Sequence, residues 1–400
     1  MEPPARQPQT ETANFDGEQA YVLRAGDGTE AWVLPSIGAN CIALSVPLPL
    51  DGAPSSGQKG GTAHLLSTPP SAAALRGHPT GSGFPILSPH PSGGRAPFLW
   101  RGRSYAPPGG RERLAGHGFA AGAPWEVLHA GPDSLVCRLD ARTLDPATAW
   151  WPWPFTLTAT HRVQPAALTL SLELESLHPD PAPVMLGLHP YHPLRLVARS
   201  ELGPQGRQTP PTAADLVAAG EAEARQACRV WVEGGDLWDL DRARSGWGAP
   251  ELQERWALRR PRSLADLAQT AQRSGVAQAD GRMPVLFYGD QEALRGAASG
   301  EDPAAPGGIT SGVVDAASGV ALRLETSRAF GAVVVYTPPA HAAVSLEPRS
   351  TLLDALTLGA AQPDLPTGVR RVAPGRPWRA WARLSLQPAA EAAYAVTRSA

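Results

Sequence analysis

The chain has 400 residues, enough for one large domain or two ordinary ones. Its formal charge of −2 gives no polycationic surface, which argues against nucleic acid as the main partner. The one lysine, Lys59, sits in a Gly/Ser/Pro-rich stretch, which excludes most chemistry built on a buried lysine, such as Schiff bases or pyridoxal phosphate attachment.

Residues 1–17 are expected to form a disordered tail, and Met1-Glu2-Pro3-Pro4-Ala5-Arg6-Gln7 lacks the charged-then-apolar order of a signal peptide. Beyond them the periodicity is mostly two, the signature of strands. Residues 21–34 and 42–46 read as opening strands around Pro35-Ser36-Ile37-Gly38, and 52–83, rich in Gly, Pro, Ser and Ala, as a mobile surface loop. Strands follow at 98–100, 125–128, 134–139, 155–163 and 167–175, the last alternating as Leu168, Leu170, Leu172 and Leu174. The apolar run Pro183-Val184-Met185-Leu186 leads into Gly187-Leu188-His189-Pro190-Tyr191-His192-Pro193, which puts an imidazole where a strand meets a Pro-rich turn.

Residues 200–282 break the rhythm as a partly helical insertion. Within it 230–232 reads as a strand, and Ser263 is placed to cap a helix with Leu264, Leu267, Ala268 and Ala271 on its apolar face. Trp231, Trp238, Trp247 and Trp256 are expected to pack this insertion down; an aromatic platform for sugar is the alternative. Strands resume at 285–288, 320–325, 332–336, 343–347 and 381–386, and 389–400 form a C-terminal tail. So many strands with few helices imply an all-β, antiparallel sandwich or barrel over residues 18–388.

Cys41, Cys137 and Cys228 are far apart and odd in number, with neither a metal-ligand spacing nor a disulfide framework, so they read as small buried hydrophobes. No apolar run approaches the ~20 residues of a membrane span. The expectation is a soluble cytoplasmic protein that engages neither membrane nor nucleic acid, with oligomeric state left open.

With no metal motif, P-loop or nucleophile elbow, acid–base work by histidine and carboxylate is the surviving chemistry. A histidine exchanges protons near neutrality. The candidates are His117, between two glycines; His189; and Glu347, which shares the less apolar face of its strand with Ala343 and Ser345. Each has a bland reading too: His189 as a satisfied turn residue, Glu347 as a solvated strand end paired with Arg349.

Several separated segments, taken in order, resemble the aldose 1-epimerase (galactose mutarotase) family. They are Trp32 to Ala39; Phe84-Pro85-Ile86-Leu87-Ser88-Pro89 with Gly94-Arg95; His117-Gly118-Phe119 with Trp125; Gly187 to Tyr191; and Val335-Tyr336-Thr337-Pro338 leading to Glu347-Pro348. The similarity runs from about residue 18 to residue 388. It implies a large antiparallel β-sandwich of the supersandwich type and a small-molecule carbohydrate as ligand. It further implies Glu347 as general base on the anomeric hydroxyl, His189 as general acid on the ring oxygen, and Arg95, His117 and Tyr191 as substrate-binding residues, with no metal or cofactor.

The chain also departs from the family pattern. Gly94 stands where asparagine usually precedes the arginine, and His192-Pro193 replaces Phe-Asn. No carboxylate falls in 283–288, where the family carries an aspartate; Asp290 is the nearest substitute. An isomerase acting on an aldose or modified sugar is the leading reading. A binding protein that kept the fold and lost turnover is the alternative. A hydrolase or lyase is the third reading, disfavoured because hydrolysis usually needs two carboxylates.

Overall fold

The computed structural model describes residues 10–48, 61–114, 116–146, 149–197, 209–217, 220–238, 247–278, 283–299, 302–338 and 342–391. Lys59 and residues 52–60 of the expected loop lie outside them, as do residues 200 and 282 that bound the insertion.

Alternation becomes sheet directly. In the strand Ala167–Ser176 the four alternating leucines are buried while Ser171 and Glu175 face solvent. This strand belongs to a nine-stranded sheet in the order Glu126–Ala130, Ser134–Asp140, Phe155–Gln164, Ala167–Ser176, Trp378–Pro388, Val320–Thr326, Thr310–Asp315, Cys228–Glu233 and Arg262–Ser263. The late strand Trp378–Pro388 runs between the early strand Ala167–Ser176 and the late strand Val320–Thr326, with Leu384 opposite both Leu168 and Leu324. It thereby clips the early meander to the late hairpin.

A five-stranded antiparallel meander covers Glu11–Phe15, Glu18–Arg24, Glu30–Leu34, Asn40–Pro47 and Thr62–His64. A third sheet has seven strands. Its order is Asp236–Trp238, Leu286–Gly289, Ala332–Tyr336, Ala343–Arg349, Gly187–Leu188 and Ile86–Leu87, and Tyr191–Pro193 also pairs with Ala343–Arg349. One continuous core joins them: Val33 and Leu44 from the meander, Leu135, Leu157 and Leu170 from the long sheet, and Val335, Val344 and Leu346 from the third. The fold class is therefore the expected antiparallel, all-β one.

Two expectations need correction. The strand Glu11–Phe15 lies inside the presumed tail, because Phe15 is buried and the strand pairs fully with Glu18–Arg24. Residues 61–83 are not a loose loop: Thr62–His64 extends the meander, Leu65 and Leu66 are buried, and Ser71 caps the helix Ala72–Gly77 by accepting from the Ala74 N–H. Small residues there permit close packing. Within 200–282 lie the helices Glu221–Ala227 and Leu264–Arg273, and the strand read at 230–232 falls in Cys228–Glu233, which with Arg262–Ser263 completes the long sheet.

Other expectations hold. Ser263 caps the helix Leu264–Arg273, which buries Leu264, Leu267 and Ala271. Trp231, Trp238 and Trp256 are buried and Trp247 meets Trp238 edge-on at 4.9 Å, so these four rings pack rather than form a sugar platform. All three cysteines are free and buried. Among the described residues no helix is long and apolar enough to cross a membrane.

Burial also makes the fold sensitive to acid. Desolvation lowers His64, His161 and His192 to about 4. In the unfolded chain they titrate near ~6.5. Folded values below unfolded ones mean that their contribution is complete above pH ~6.5 and is lost as pH falls toward 4, each costing roughly 3 kcal/mol over that interval. The urea midpoint should therefore drop steeply between pH 7 and 4.5; a midpoint unchanged over that range would refute this account.

Candidate active site

The strand Ala343–Arg349 organises the site. Period two sends Val344 and Leu346 into the core and puts Ser345, Glu347 and Arg349 together on the other face. Its edge away from Ala332–Tyr336 is shared by two short strands. Tyr191 pairs with Ser345 at one end and Gly187 with Arg349 at the other, in a single register. That register sets His189, in the break between them, directly opposite Glu347.

The two side chains meet: His189 Nε2 lies 3.2 Å from Glu347 Oε1, and both side chains are about 95 % buried, with exposures of 5 % and 4 %. On the other side of the ring, Nδ1 is 3.0 Å from Ser345 Oγ, and Ser345 Oγ donates to the Pro190 carbonyl at 2.8 Å. A hydroxyl has one proton. With that proton on Pro190, Nδ1 must donate to Ser345, so Nε2 is the nitrogen left to exchange protons with Glu347. Tyr191 stacks on the imidazole at 4.8 Å, and His117 and Tyr336 meet it edge-on at 5.2 and 6.5 Å.

Arg349 is the neighbour that sequence reasoning underused. Its Nη2 donates to Glu347 Oε2 and its Nη1 to the Pro91 carbonyl. The same carbonyl accepts from His117 Nδ1 at 2.8 Å. One backbone oxygen thus ties the arginine to the second histidine and leaves His117 Nε2 as an acceptor. Ser345 and Arg349 were legible in principle, because both lie two residues from Glu347 on a strand. Pro91 carried no signal, since its contribution is a main-chain carbonyl delivered by a loop.

The electrostatics follow from burial. Desolvation is the largest influence on Glu347 and raises its pKa, against Arg349 pulling it down. Desolvation lowers His189 well below its ordinary value, reinforced by Arg349 and His117. His117 falls to about 4 for the same first cause. Burial, then the Glu347 charge, pushes the Tyr191 hydroxyl up, keeping it protonated at neutral pH. Both shifts act against charge, favouring neutral imidazole and protonated carboxyl over the ion pair.

His189, His117, Tyr191 and Glu347 are therefore assembled, whereas Arg95 is engaged by Asp354. Its Nε donates to Asp354 Oδ2 at 3.0 Å and its backbone N–H to Oδ1 at 3.0 Å, beside a small cavity that it lines with Arg113. Asp290 accepts from the N–H groups of Glu292 and Ala293, capping the helix Gln291–Ser299, so its carboxylate is committed to a structural role. His192 donates from Nδ1 to the Leu65 carbonyl within the core. Among the described residues no group of three or more His, Cys, Asp or Glu is placed to hold a metal.

Residues 55–230 match the family described as aldose 1-epimerase. No curated protein matches the chain. A galactose mutarotase-like protein from Clostridium acetobutylicum superposes with a TM-score of 0.63 at 13 % identity, covering 96 % of this chain and 100 % of that one. Galactose 1-epimerase from Lactobacillus acidophilus gives 0.60 at 13 % identity, with 95 % and 99 % covered. A galactose mutarotase-like protein from Lactobacillus casei gives 0.56 at 12 %, with 92 % and 100 % covered. At these identities the superpositions establish the fold, which is galactose mutarotase-like.

Gly118 fixes His117 by a constraint no other residue meets. Its φ is +69°, and a Cβ there would lie 2.1 Å from the Ser88 carbonyl oxygen. That oxygen accepts the Phe119 N–H at 2.9 Å. Gly118→Ala is expected to lower stability by about 2 kcal/mol or more through backbone strain and displacement. A urea midpoint equal to wild type would show that the loop does not depend on this approach.

Proposed function

From a chain whose residues 55–230 match the aldose 1-epimerase family, we propose that this protein is a cofactor-independent isomerase that interconverts the α and β anomers of an aldose or modified sugar. The observation that carries the reading is the buried contact between His189 Nε2 and Glu347 Oε1. A cyclic hemiacetal bears its ring oxygen and its anomeric hydroxyl on one carbon. An acid and a base that serve both must therefore be near neighbours.

In the reactive form His189 is an imidazolium and Glu347 a carboxylate. Glu347 Oε1 takes the proton of the anomeric hydroxyl while His189 Nε2 gives its proton to the ring oxygen, and the bond between the anomeric carbon and the ring oxygen breaks. The products are a free aldehyde, a hydroxyl at the former ring oxygen, neutral histidine and protonated glutamate. Rotation of the aldehyde about its bond to the next carbon presents the other face; closure returns both protons and gives the other anomer.

Burial assists this exchange. Ring opening converts an ion pair into two neutral groups, and a desolvated site favours that form of both, as the raised Glu347 and lowered His189 values indicate. Arg349 acts in the opposite sense, favouring the ionised form of Glu347 against that desolvation. Ser345 holds the imidazole in the orientation that leaves Nε2 for the sugar. Substrate must part the 3.2 Å contact to reach both groups. His117 Nε2 and the Tyr191 hydroxyl are the groups offered to sugar hydroxyls, while Arg95 takes part only if substrate draws it from Asp354.

Glu347→Gln and His189→Ala should each lower kcat by ~10²–10⁴. NMR exchange or polarimetry on a panel of free and phosphorylated aldoses reads this directly. Wild type no faster than buffer on every sugar would sink the isomerase reading, and saturable sugar binding without turnover would identify a binding protein instead. Full activity in both variants would sink the site.

A further inference from the structure

Away from the acid–base pair, a cleft of about 1200 Å³ lies between the 99–102 turn, the helices Gln291–Ser299 and Ala355–Ala361, and the 363–378 segment. Five arginines line it, Arg101, Arg295, Arg370, Arg371 and Arg376, against only Asp302 and Asp364. The Asp302 carboxylate is already engaged by the Ala304 N–H at 3.0 Å. Arg101, Arg295, Arg371 and Arg376 are exposed and, among the described residues, have no carboxylate partner. Arg370 is buried in the wall, with its guanidinium 5.9 Å from the centroid of the Trp378 ring.

The chain as a whole is slightly acidic, so this is a local separation of charge. Like charges brought together around a concave wall focus a positive potential into it. Guanidinium groups meet phosphate and carboxylate oxygens in matched pairs of hydrogen bonds, which favours an anion over a diffuse counterion cloud. The cleft is far larger than a bare ion, and Leu99, 51 % exposed, and Trp100 give it an apolar wall for an organic body.

The cleft is distinct from the site described above. The helix Ala355–Ala361 turns Leu356 and Ala360 toward it, while Leu358 lines the small cavity beside Arg95. We propose that this cleft is a second ligand site, one that takes an organic anion carrying a phosphate or carboxylate group.

Isothermal titration of the full chain at low ionic strength tests this, with glucose 6-phosphate, glucuronate and uncharged glucose as probes. Arg371 and Arg376 are both exposed, so the double variant Arg371→Gln/Arg376→Gln should fold, as circular dichroism will report. At least one charged probe should bind more tightly than glucose, weaken with added salt, and lose about tenfold or more in affinity in the double variant. Glu347→Gln should bind it as wild type does. The tighter of the two charged probes tells phosphate from carboxylate. The proposal is overturned if neither charged probe outbinds glucose, if the double variant retains full affinity, or if Glu347→Gln loses the binding.

Discussion

The site rests on a contact that is expensive in isolation: a histidine and a glutamate facing each other out of water. Removing a charged carboxylate or imidazolium from solvent costs several kcal/mol each unless partners compensate. Every feature around the pair addresses that cost. Arg349 takes one carboxylate oxygen, Ser345 takes the far nitrogen of the ring, and Tyr191 covers its face. Moving a proton along the Nε2–Oε1 line would turn an ion pair into two neutral groups without a change in net charge.

Register is what makes the contact possible. Two short strands, Gly187–Leu188 and Tyr191–Pro193, pair with Ala343–Arg349 in one alignment although the ladder is broken between them. A slip of Ala343–Arg349 by one residue would turn Glu347 to the core face and Val344 and Leu346 to the site. The core prevents that slip, since Val335, Val344 and Leu346 are locked into the cluster that the long sheet also builds. Hydrophobic packing on one face of the third sheet therefore sets which polar groups meet on the other.

The loops contribute through backbone geometry more than through side-chain identity. Pro91 joins Arg349 to His117 with a carbonyl, and the Ser88 carbonyl receives the Gly118 loop. Gly118 reads in the sequence as room for an imidazole, but its role is a left-handed turn and a close approach. Arg95 shows the converse. Its place in a family-like segment suggested a sugar ligand, yet Asp354, distant in sequence, holds both its guanidinium and its backbone N–H.

Local alternation was enough to read most of the long strands, because a half-buried strand must alternate whatever it pairs with, but Glu11–Phe15 and Thr310–Asp315 escaped it. It gave Ala332–Tyr336 to the residue, the helix cap at Ser263, and the burial of the three cysteines. Period two also put Ser345, Glu347 and Arg349 on one face, and the order of motifs pointed to His189 and His117 as their companions. Order along the chain could not show that Thr62–His64 extends the meander, because composition rich in small residues looks alike in a loop and in a close-packed edge. Nor could it reveal that the Glu347–Arg349 pair it offered is buried rather than solvated, or that a carbonyl bridges the two sides of the site. Those depend on long-range register and on main-chain groups that every residue carries alike, so the sequence determined the chemistry on offer and only the tertiary structure decided which groups meet.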